Sequence, residues 1–202
     1  DHPDLAGRVL PGWDFVENDA DPQDVFGHGC AVAGVIAAAH DGAGIAGVAP
    51  NARILPLRVL DAQGTGTYSN VAAAIIQAAD RGAQVINLSL GGAAPSALMA
   101  DAVDYAVARG VTVIAAAGNT GGSVLYPAAL APVVAVASVD ADLQRSGFSS
   151  YGPEIDLYAP GRDILTTRPG GAYAALSGTS FAAPQVAGTA ALELALGRQL
   201  AL

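Results

Sequence analysis

The sequence predicts an α/β fold that is doubly wound around a mainly parallel sheet. Short β-rich runs alternate with alanine-rich segments of helical length, the order that is typical of strand–helix–strand units joined by right-handed crossovers. With 52 % apolar and 13 % charged residues among 202, the chain can bury a large core, which excludes a disordered protein. No repeat or linker divides it, so residues 1–202 are expected to form one domain.

The predicted elements follow one another in regular order. A first helix is expected over Gly29 to Ala39, where a small-residue apolar run follows a turn. Each of three later helices starts at a serine, a preferred N-cap, and meets a glycine soon after its end. The strands are predicted at Arg53 to Val59, Gln84 to Leu88, Val111 to Ala116 and Val133 to Ala137, and the later helices at Ser69 to Arg81, Ser96 to Arg109 and Ser180 to Leu196.

The charge balance excludes several classes of partner. Nine basic residues, all arginine, stand against 18 Asp and Glu, so the formal charge is −9 and no basic run is present. We therefore expect neither nucleic acid nor a membrane surface as a partner. No apolar run reaches the roughly 20 residues of a membrane helix, and the chain contains no signal peptide pattern. Its single cysteine, Cys30, cannot close an intrachain disulfide.

Three separated segments predict a nucleophilic hydrolase site. FGHGCAVAG places His28 at the start of an apolar helix, IAAAGNTGG runs from a strand into Asn119, and SGTSFAAPQVAG places Ser180 in an open turn at a helix N-terminus. A serine hydroxyl needs an adjacent base, and histidine has a suitable pKa. Free backbone N–H groups at a helix N-terminus also favour a nucleophile there. The alternative for Asn119 is a cap after a strand, while His2 and His40 are interpreted as structural or solvent-exposed.

These segments resemble the motifs of the subtilisin-like serine proteases, or subtilases. HGCAVAG resembles the histidine motif, SLGG the substrate-binding strand, AAAGN the oxyanion-hole segment and GTSFAAPQVAG the serine motif. The similarity extends through HPDL, GVAPNARILPLRVL and FSSYGPEIDLYAPG to the closing helix. It implies a secreted serine endopeptidase with a three-layer fold and no catalytic cofactor, whose partners are a polypeptide substrate and an N-terminal propeptide.

The resemblance also implies a role for each site residue. Ser180 would attack the scissile carbonyl, His28 would transfer its proton, and Asn119 would stabilise the oxyanion together with the Ser180 N–H. An extended substrate would pair with two glycine-rich edges and enter a primary specificity pocket. The implied substrate-binding residues are Gly64, Thr65, Gly66, Tyr68, Val71, Ser89, Leu90, Gly91, Ala116, Ala117, Gly118 and Leu125.

One of these residues implies a substrate preference, and three others have an alternative interpretation. Leu125 matches a position where many relatives keep a glycine on the pocket floor, so we expect a small or medium apolar residue before the scissile bond. Tyr68, Val71 and Leu90 match a hydrophobic subsite further from the cut. Ordinary packing of a helix face explains these three residues equally well.

The sequence departs from the family pattern at both ends. In subtilases the triad aspartate ends the first strand, in an Asp-Ser/Thr-Gly turn that precedes the HPDL-like stretch, and this chain starts inside that stretch. No triad aspartate is therefore assigned, since Asp1, Asp4 and Asp24 are poorly positioned for that role. We expect a catalytic domain that lacks an N-terminal strand and C-terminal elements and is weak or inactive alone. The alternative function is a catalytically silent subtilase-like module that binds peptides, whereas an α/β-hydrolase is disfavoured because Ser180 lacks a Gly-x-Ser-x-Gly context.

The resemblance further implies a structural calcium site. Asp4 and Asp41 match its oxygen ligands, and we expect binding in the full-length parent rather than in this chain. The acidic stretch Asp14 to Asp24 is interpreted instead as a solvated loop. Cys30 is interpreted as a small buried residue and not as a nucleophile.

Overall fold

The structure, a computed structural model, describes residues 2–198, which contain four α-helices and eight strands. Short 3-10 turns at Pro3–Leu5 and Pro169–Gly171 supplement them. The α-helices and strands, in chain order, are β1 Trp13–Asp14, α1 His28–Ala37, β2 Leu57–Arg58, α2 Tyr68–Asp80, β3 Val85–Leu88, α3 Ala97–Val107, β4 Thr112–Ala116, β5 Val134–Val139, β6 Leu157–Pro160, β7 Ile164–Arg168, β8 Ala172–Leu176 and α4 Thr179–Ala195.

A four-stranded parallel sheet forms the centre of the fold, with the strand order β3-β4-β5-β6. Its two faces contact different helices, because successive side chains of a strand point to opposite sides. Val113 and Ala115 face α2 and α3, whereas Ile114 and Ala116 face the alanine-rich side of α4. The result is the three-layer α/β arrangement that the sequence predicts.

The four predicted helices are confirmed to within a few residues, and three of the four predicted strands are recognisable in β3, β4 and β5. The strand predicted at Arg53 to Val59 shortens to Leu57–Arg58, preceded by an isolated bridge at Ile54. Pro56 interrupts it, since proline has no N–H to donate to a ladder. The strands β1, β6, β7 and β8 were not predicted; β1 has only two residues, and most side chains of β6 and β8 are exposed.

A cleft of about 1650 Å³ separates β2 from β3. The helix α2 joins these two strands, which is the connection that neighbouring parallel strands of a sheet use. Among the described residues, β2 pairs with β1 and β3 pairs with β4, so each strand leaves one backbone edge facing the cleft. Asn87 of β3 lines the cleft, and its Oδ1 is buried without a hydrogen-bond partner.

The acidic stretch differs from the solvated loop that its composition predicts. Asp14 is 1 % exposed, forms an ion pair with Arg58, and accepts a hydrogen bond from the Val16 N–H at 2.7 Å. This carboxylate therefore organises the turn after β1, while most of the remaining stretch is exposed. Within residues 2–198, no helix combines the length and the apolar character that a membrane span requires.

Candidate active site

Ser180 lies in the first turn of α4, as the sequence predicts. Its hydroxyl donates a hydrogen bond to the Ser89 carbonyl at 3.3 Å, and the Ser89 hydroxyl donates in return to the Ser180 carbonyl at 2.8 Å. No hydrogen bond of the Ser180 N–H is found within residues 2–198, because the first N–H groups of a helix have no partner inside it. The Ser180 hydroxyl therefore lies beside a free backbone donor, next to the segment that follows β3.

The Asn119 side chain is fixed against the residue that precedes Ser180. Its Oδ1 accepts hydrogen bonds from the Thr179 N–H at 2.8 Å and from the Thr179 hydroxyl at 3.0 Å. The Thr179 hydroxyl in turn accepts a hydrogen bond from the Gly118 N–H at 3.1 Å. With Oδ1 held in this way, the Nδ2 donors stay free for an oxyanion. Gly118 has a φ of +111°, a conformation that only glycine adopts readily, so it enables this turn.

His28 begins α1, and its ring packs at 5.7 Å from the Phe181 ring and at 6.3 Å from the Phe26 ring. Burial lowers the pKa of the imidazole, which the negative charge of Asp24 opposes and the positive charge of Arg168 reinforces. The neutral form, which can accept a proton, is therefore favoured. Both oxygens of the Asp24 carboxylate accept backbone hydrogen bonds, from the Gly27 and Cys30 N–H groups at 2.7 Å each. Asp24 therefore caps α1.

The three predicted catalytic residues lie in one region, but two contacts of a catalytic triad are not seen among the described residues. These are the hydrogen bonds of the histidine to the serine and to a carboxylate. His28 and Ser180 share a neighbour in Phe181, which contacts the imidazole and directly follows the serine. Among the described residues, the imidazole has no hydrogen bond to Ser180 or to any carboxylate. The Asp4 carboxylate lies elsewhere, bonded to Tyr173, and Asp1 lies outside the described residues.

The other histidines and the cysteine behave as interpreted from the sequence. His2 is 5 % exposed, and its Nε2 lies 3.0 Å from the Ala172 carbonyl, whereas His40 is exposed. Cys30 is buried behind His28, with Sγ 3.8 Å from the Thr167 hydroxyl. Burial raises the pKa of the Cys30 thiol, which makes it a poor nucleophile at neutral pH.

A groove of about 360 Å³ extends from His28 between the two predicted substrate edges. Its polar rim comes from the loop between β2 and α2 and from the segment after β3, and its deeper end is apolar. Tyr68, Val71 and Leu90 line that end together with Met99, which belongs to none of the motifs and was not predicted. The first three also belong to the core around α2, so both interpretations of them agree with the structure. The lining residues are Phe26, His28, Leu60, Gly64, Thr65, Gly66, Thr67, Tyr68, Val71, Ser89, Leu90, Gly91, Gly92, Met99 and Tyr126.

The predicted primary pocket differs from this groove, because the Leu125 side chain fills the space between its two edges. A Cβ added at Gly118 would lie 2.7 Å from Leu125 Cγ, and one added at Gly91 would lie 3.1 Å from Leu125 Cβ. Ala116 and Ala117, the predicted walls, are 4 % and 0 % exposed and do not line the groove. Any pocket next to Gly118 is therefore shallow.

Comparison with known proteins agrees with this geometry. The profile of the subtilase family, Peptidase S8, matches residues 1–199. The chain belongs to the subtilase family. It is 51 % identical to thermitase from Thermoactinomyces vulgaris over 199 residues, which are 98 % of this chain and 71 % of that protein. It is 52 % identical to a thermophilic serine proteinase of Bacillus sp. (strain AK1), of whose length it spans 50 %.

Solved structures show the same similarity in three dimensions. A cold adapted subtilisin-like serine proteinase superposes with a TM-score of 0.92 at 40 % identity, covering 99 % of this subtilase and 72 % of that chain. The protein named Sphericase superposes with a TM-score of 0.89 at 37 % identity, covering 95 % of this subtilase and 72 % of that chain. The subtilisin-like α/β fold of this subtilase is therefore established.

The two carboxylates that the family resemblance implies as calcium ligands accept hydrogen bonds from within the chain. The Asp4 carboxylate accepts hydrogen bonds from the Tyr173 hydroxyl and from the Ile45 N–H, both at 2.9 Å. Asp41 is exposed and accepts a hydrogen bond from the Ala43 N–H at 3.1 Å. Within residues 2–198, no group of three or more His, Cys, Asp or Glu side chains could hold a metal ion. Calcium binding by the full-length parent stays a prediction.

Proposed function

We propose that this subtilase chain carries the nucleophile, the base and the oxyanion donors of a serine endopeptidase. The observation that carries the proposal is the position of Ser180, at the free N-terminus of α4 and next to the fixed Asn119 amide. The groove that starts at His28 has the form of a site for an extended peptide, with glycine-rich edges that leave room for a foreign backbone. The substrate is therefore proposed to be a polypeptide.

The proposed reaction begins when the Ser180 hydroxyl turns from the Ser89 carbonyl towards His28. His28 takes the hydroxyl proton while Oγ forms a bond to the scissile carbonyl carbon. The resulting oxyanion accepts hydrogen bonds from Asn119 Nδ2 and from the Ser180 N–H. His28 then gives its proton to the leaving amine as the C–N bond breaks, and water releases the acyl group by the same steps.

Two features support the proposed oxyanion hole. The hydrogen bonds to Thr179 hold the Asn119 amide before substrate arrives, so that little reorganisation is needed during the reaction. The N-terminus of α4 adds a positive dipole end at the same place. Removal of such an asparagine costs about 3 kcal/mol of barrier, a magnitude that comes from subtilisin itself rather than from this structure.

We propose that the carboxylate partner of His28 is carried by an extended segment bound between β2 and β3. Both strands offer an unpaired backbone edge to the cleft, and His28 lines one end of it. A strand that runs parallel to both neighbours would hydrogen-bond to each edge. Asn87 Oδ1, buried without a partner, would then find a donor. A full-length parent that is secreted, carries a propeptide and binds calcium is proposed by analogy with the family.

A fluorophosphonate probe tests the proposed nucleophile directly. Intact-mass measurement and peptide mapping are expected to find one probe on Ser180, with labelling abolished in Ser180→Ala and strongly slowed in His28→Ala. Ser123→Ala is the matched control, since Ser123 is exposed and lies outside the groove lining. Labelling at another residue, or equal labelling of Ser180→Ala, would refute the proposal.

The silent peptide-binding module is a second candidate, and one observation favours it. No carboxylate in the described part of the chain hydrogen-bonds to the His28 imidazole, so the catalytic triad of the isolated chain is proposed to be incomplete. Loss of the aspartate alone lowers turnover about 10⁴-fold in subtilisin, from which that figure is taken. Peptide binding without any labelling of Ser180 would support the module over the peptidase.

A further inference from the structure

Arg168 lies beside the catalytic histidine, on a strand that is fixed to the helix of that histidine. The Thr167 and Thr166 hydroxyls of β7 donate to the Cys30 and Ala31 carbonyls of α1 at 2.8 and 2.6 Å. Arg168, the last residue of β7, therefore reaches the N-terminus of α1. Its Nη1 lies 3.4 Å from the Gly27 carbonyl oxygen.

The approach of this guanidinium to α1 depends on a glycine. A Cβ at position 27 would lie 3.1 Å from both Cζ and Nη2 of Arg168. Gly27 also has a φ of +86°, which a side chain would disfavour. Glycine at position 27 therefore leaves room for the Arg168 guanidinium next to the residue that precedes His28.

The Arg168 charge has no ion-pair partner among residues 2–198. The arginine ion pairs of that region use Arg58, Arg109, Arg162 and Arg198. The nearby anion Asp24 already accepts two backbone hydrogen bonds as the cap of α1. In a chain of formal charge −9, a half-exposed and unpaired guanidinium beside the catalytic histidine is available to an anionic ligand.

Arg168 lies outside the groove proposed for the substrate residues before the scissile bond, which leaves the residues after that bond as its neighbours. The groove on one side of His28 would hold the residues before the scissile bond, and Arg168 is not among its lining residues. It does not line the cleft between β2 and β3 either. Because the imidazole must protonate the leaving amine, the leaving chain passes His28 on the side away from the groove.

We propose that Arg168 selects substrates with an acidic side chain shortly after the scissile bond. The inference rests on the proposed peptidase function and adds a preference on the leaving-group side. A carboxylate there would pair with the guanidinium in two parallel hydrogen bonds. Because Arg168 is half-exposed, the expected gain in affinity is about twofold to fivefold at low salt, and it shrinks as ionic strength rises.

Peptide binding to the Ser180→Ala chain measures this preference without turnover. Two fluorescent peptides that differ only in Glu or Gln as the second residue after the scissile bond are titrated by anisotropy. The Glu peptide is expected to bind about twofold to fivefold more tightly. Arg168→Gln should remove the difference, Arg168→Lys should keep part of it, and Arg168→Glu should reverse it. Arg109→Gln, the same charge change at the opposite end of the sheet, should leave it unchanged.

The outcomes separate this inference from the proposed function. Equal binding of the two peptides, an unchanged preference in Arg168→Gln, or no binding of either peptide overturns the role of Arg168. Circular dichroism and the melting temperature of each variant show whether a lost preference reflects a lost fold, and Arg168→Glu gives a reversal that unfolding cannot imitate. The proposed nucleophile is tested independently by fluorophosphonate labelling of Ser180.

Discussion

Replacing Leu125 by alanine is expected to open the pocket for the residue that precedes the scissile bond. The leucine Cγ and Cδ1 lie 2.7 and 2.8 Å from where a Cβ on Gly118 would be, so they occupy the space beside the oxyanion segment. Leu125→Ala removes three carbon atoms there and leaves the backbone unchanged. An aromatic side chain of a substrate could then enter between Gly118 and Gly91.

The magnitude follows from the apolar area that such a ring would bury. Full burial of a phenylalanine side chain is worth about 1.5–3 kcal/mol, which corresponds to a rate or affinity ratio of roughly 10 to 150. A substrate with alanine at the same place gains little, because its methyl group already fits. The preference for phenylalanine over alanine is therefore expected to rise about tenfold or more in Leu125→Ala.

Peptidyl phosphonate esters provide the assay, since they report the first covalent step at Ser180 without turnover. Second-order inactivation constants are measured for inhibitors with alanine or phenylalanine next to phosphorus, in the native chain and in Leu125→Ala. Leu130→Ala is the matched control, a leucine of the same segment that packs against the core instead of Gly118. A phenylalanine-to-alanine ratio that stays the same in Leu125→Ala, or a native chain that already prefers phenylalanine or tyrosine, would refute the reasoning.

Four further predictions concern the residues and the cleft around the site. Phe181→Ala is expected to lower the free energy of unfolding by about 3–5 kcal/mol in urea titrations, since the ring is 5 % exposed; a loss below 1 kcal/mol would contradict its core position. Burial lowers the pKa of His28, so Ser180 labelling should be lost only below the pH range in which an exposed histidine titrates, and a loss at higher pH would contradict the effect of burial. Because the Arg168 charge also lowers this pKa, Arg168→Gln should move the midpoint to higher pH, and a shift to lower pH would be inconsistent with that cause. A synthetic apolar peptide ending in Asp-Ser-Gly should bind in the cleft next to Asn87 and accelerate Ser180 labelling at least tenfold. The same peptide with Asn in place of Asp should not accelerate labelling, and equal effects of the two peptides would exclude the proposed carboxylate.

The sequence predicted the helices and inner strands because their signals are local. Polar or glycine turns before the later helices, a glycine after each and runs of β-branched residues do not depend on distant contacts. Of the predicted serine caps only Ser96 is confirmed, because α2 is capped by Thr67 and α4 begins after Gly178. The strands β6 and β8 escaped prediction because many of their side chains are exposed and show no regular alternation. Asp14 was interpreted as solvated for the opposite reason, since its burial depends on Arg58, 44 residues away in the chain.

In the candidate site, too, local motifs were predictable and contacts between distant residues were not. The three motifs predict Ser180, His28 and Asn119, and the structure brings their elements together at the carboxyl ends of β3 and β4. The sequence could not show that Thr179 fixes the Asn119 amide, because that contact joins residues 60 positions apart. Arg168 belongs to none of the motifs, and its position beside His28 depends on the packing of β7 against α1.

The most direct test of the proposed site is a crystal structure of the chain after reaction with a peptidyl phosphonate. We expect phosphorus bonded to Ser180 Oγ, with one phosphonyl oxygen within hydrogen-bond distance of both Asn119 Nδ2 and the Ser180 N–H. The His28 imidazole should lie within hydrogen-bond reach of Oγ or of the leaving-group oxygen, and the peptide should occupy the groove beside Gly64–Gly66. An adduct on another residue, or a phosphonyl oxygen that points away from Asn119, would contradict the account.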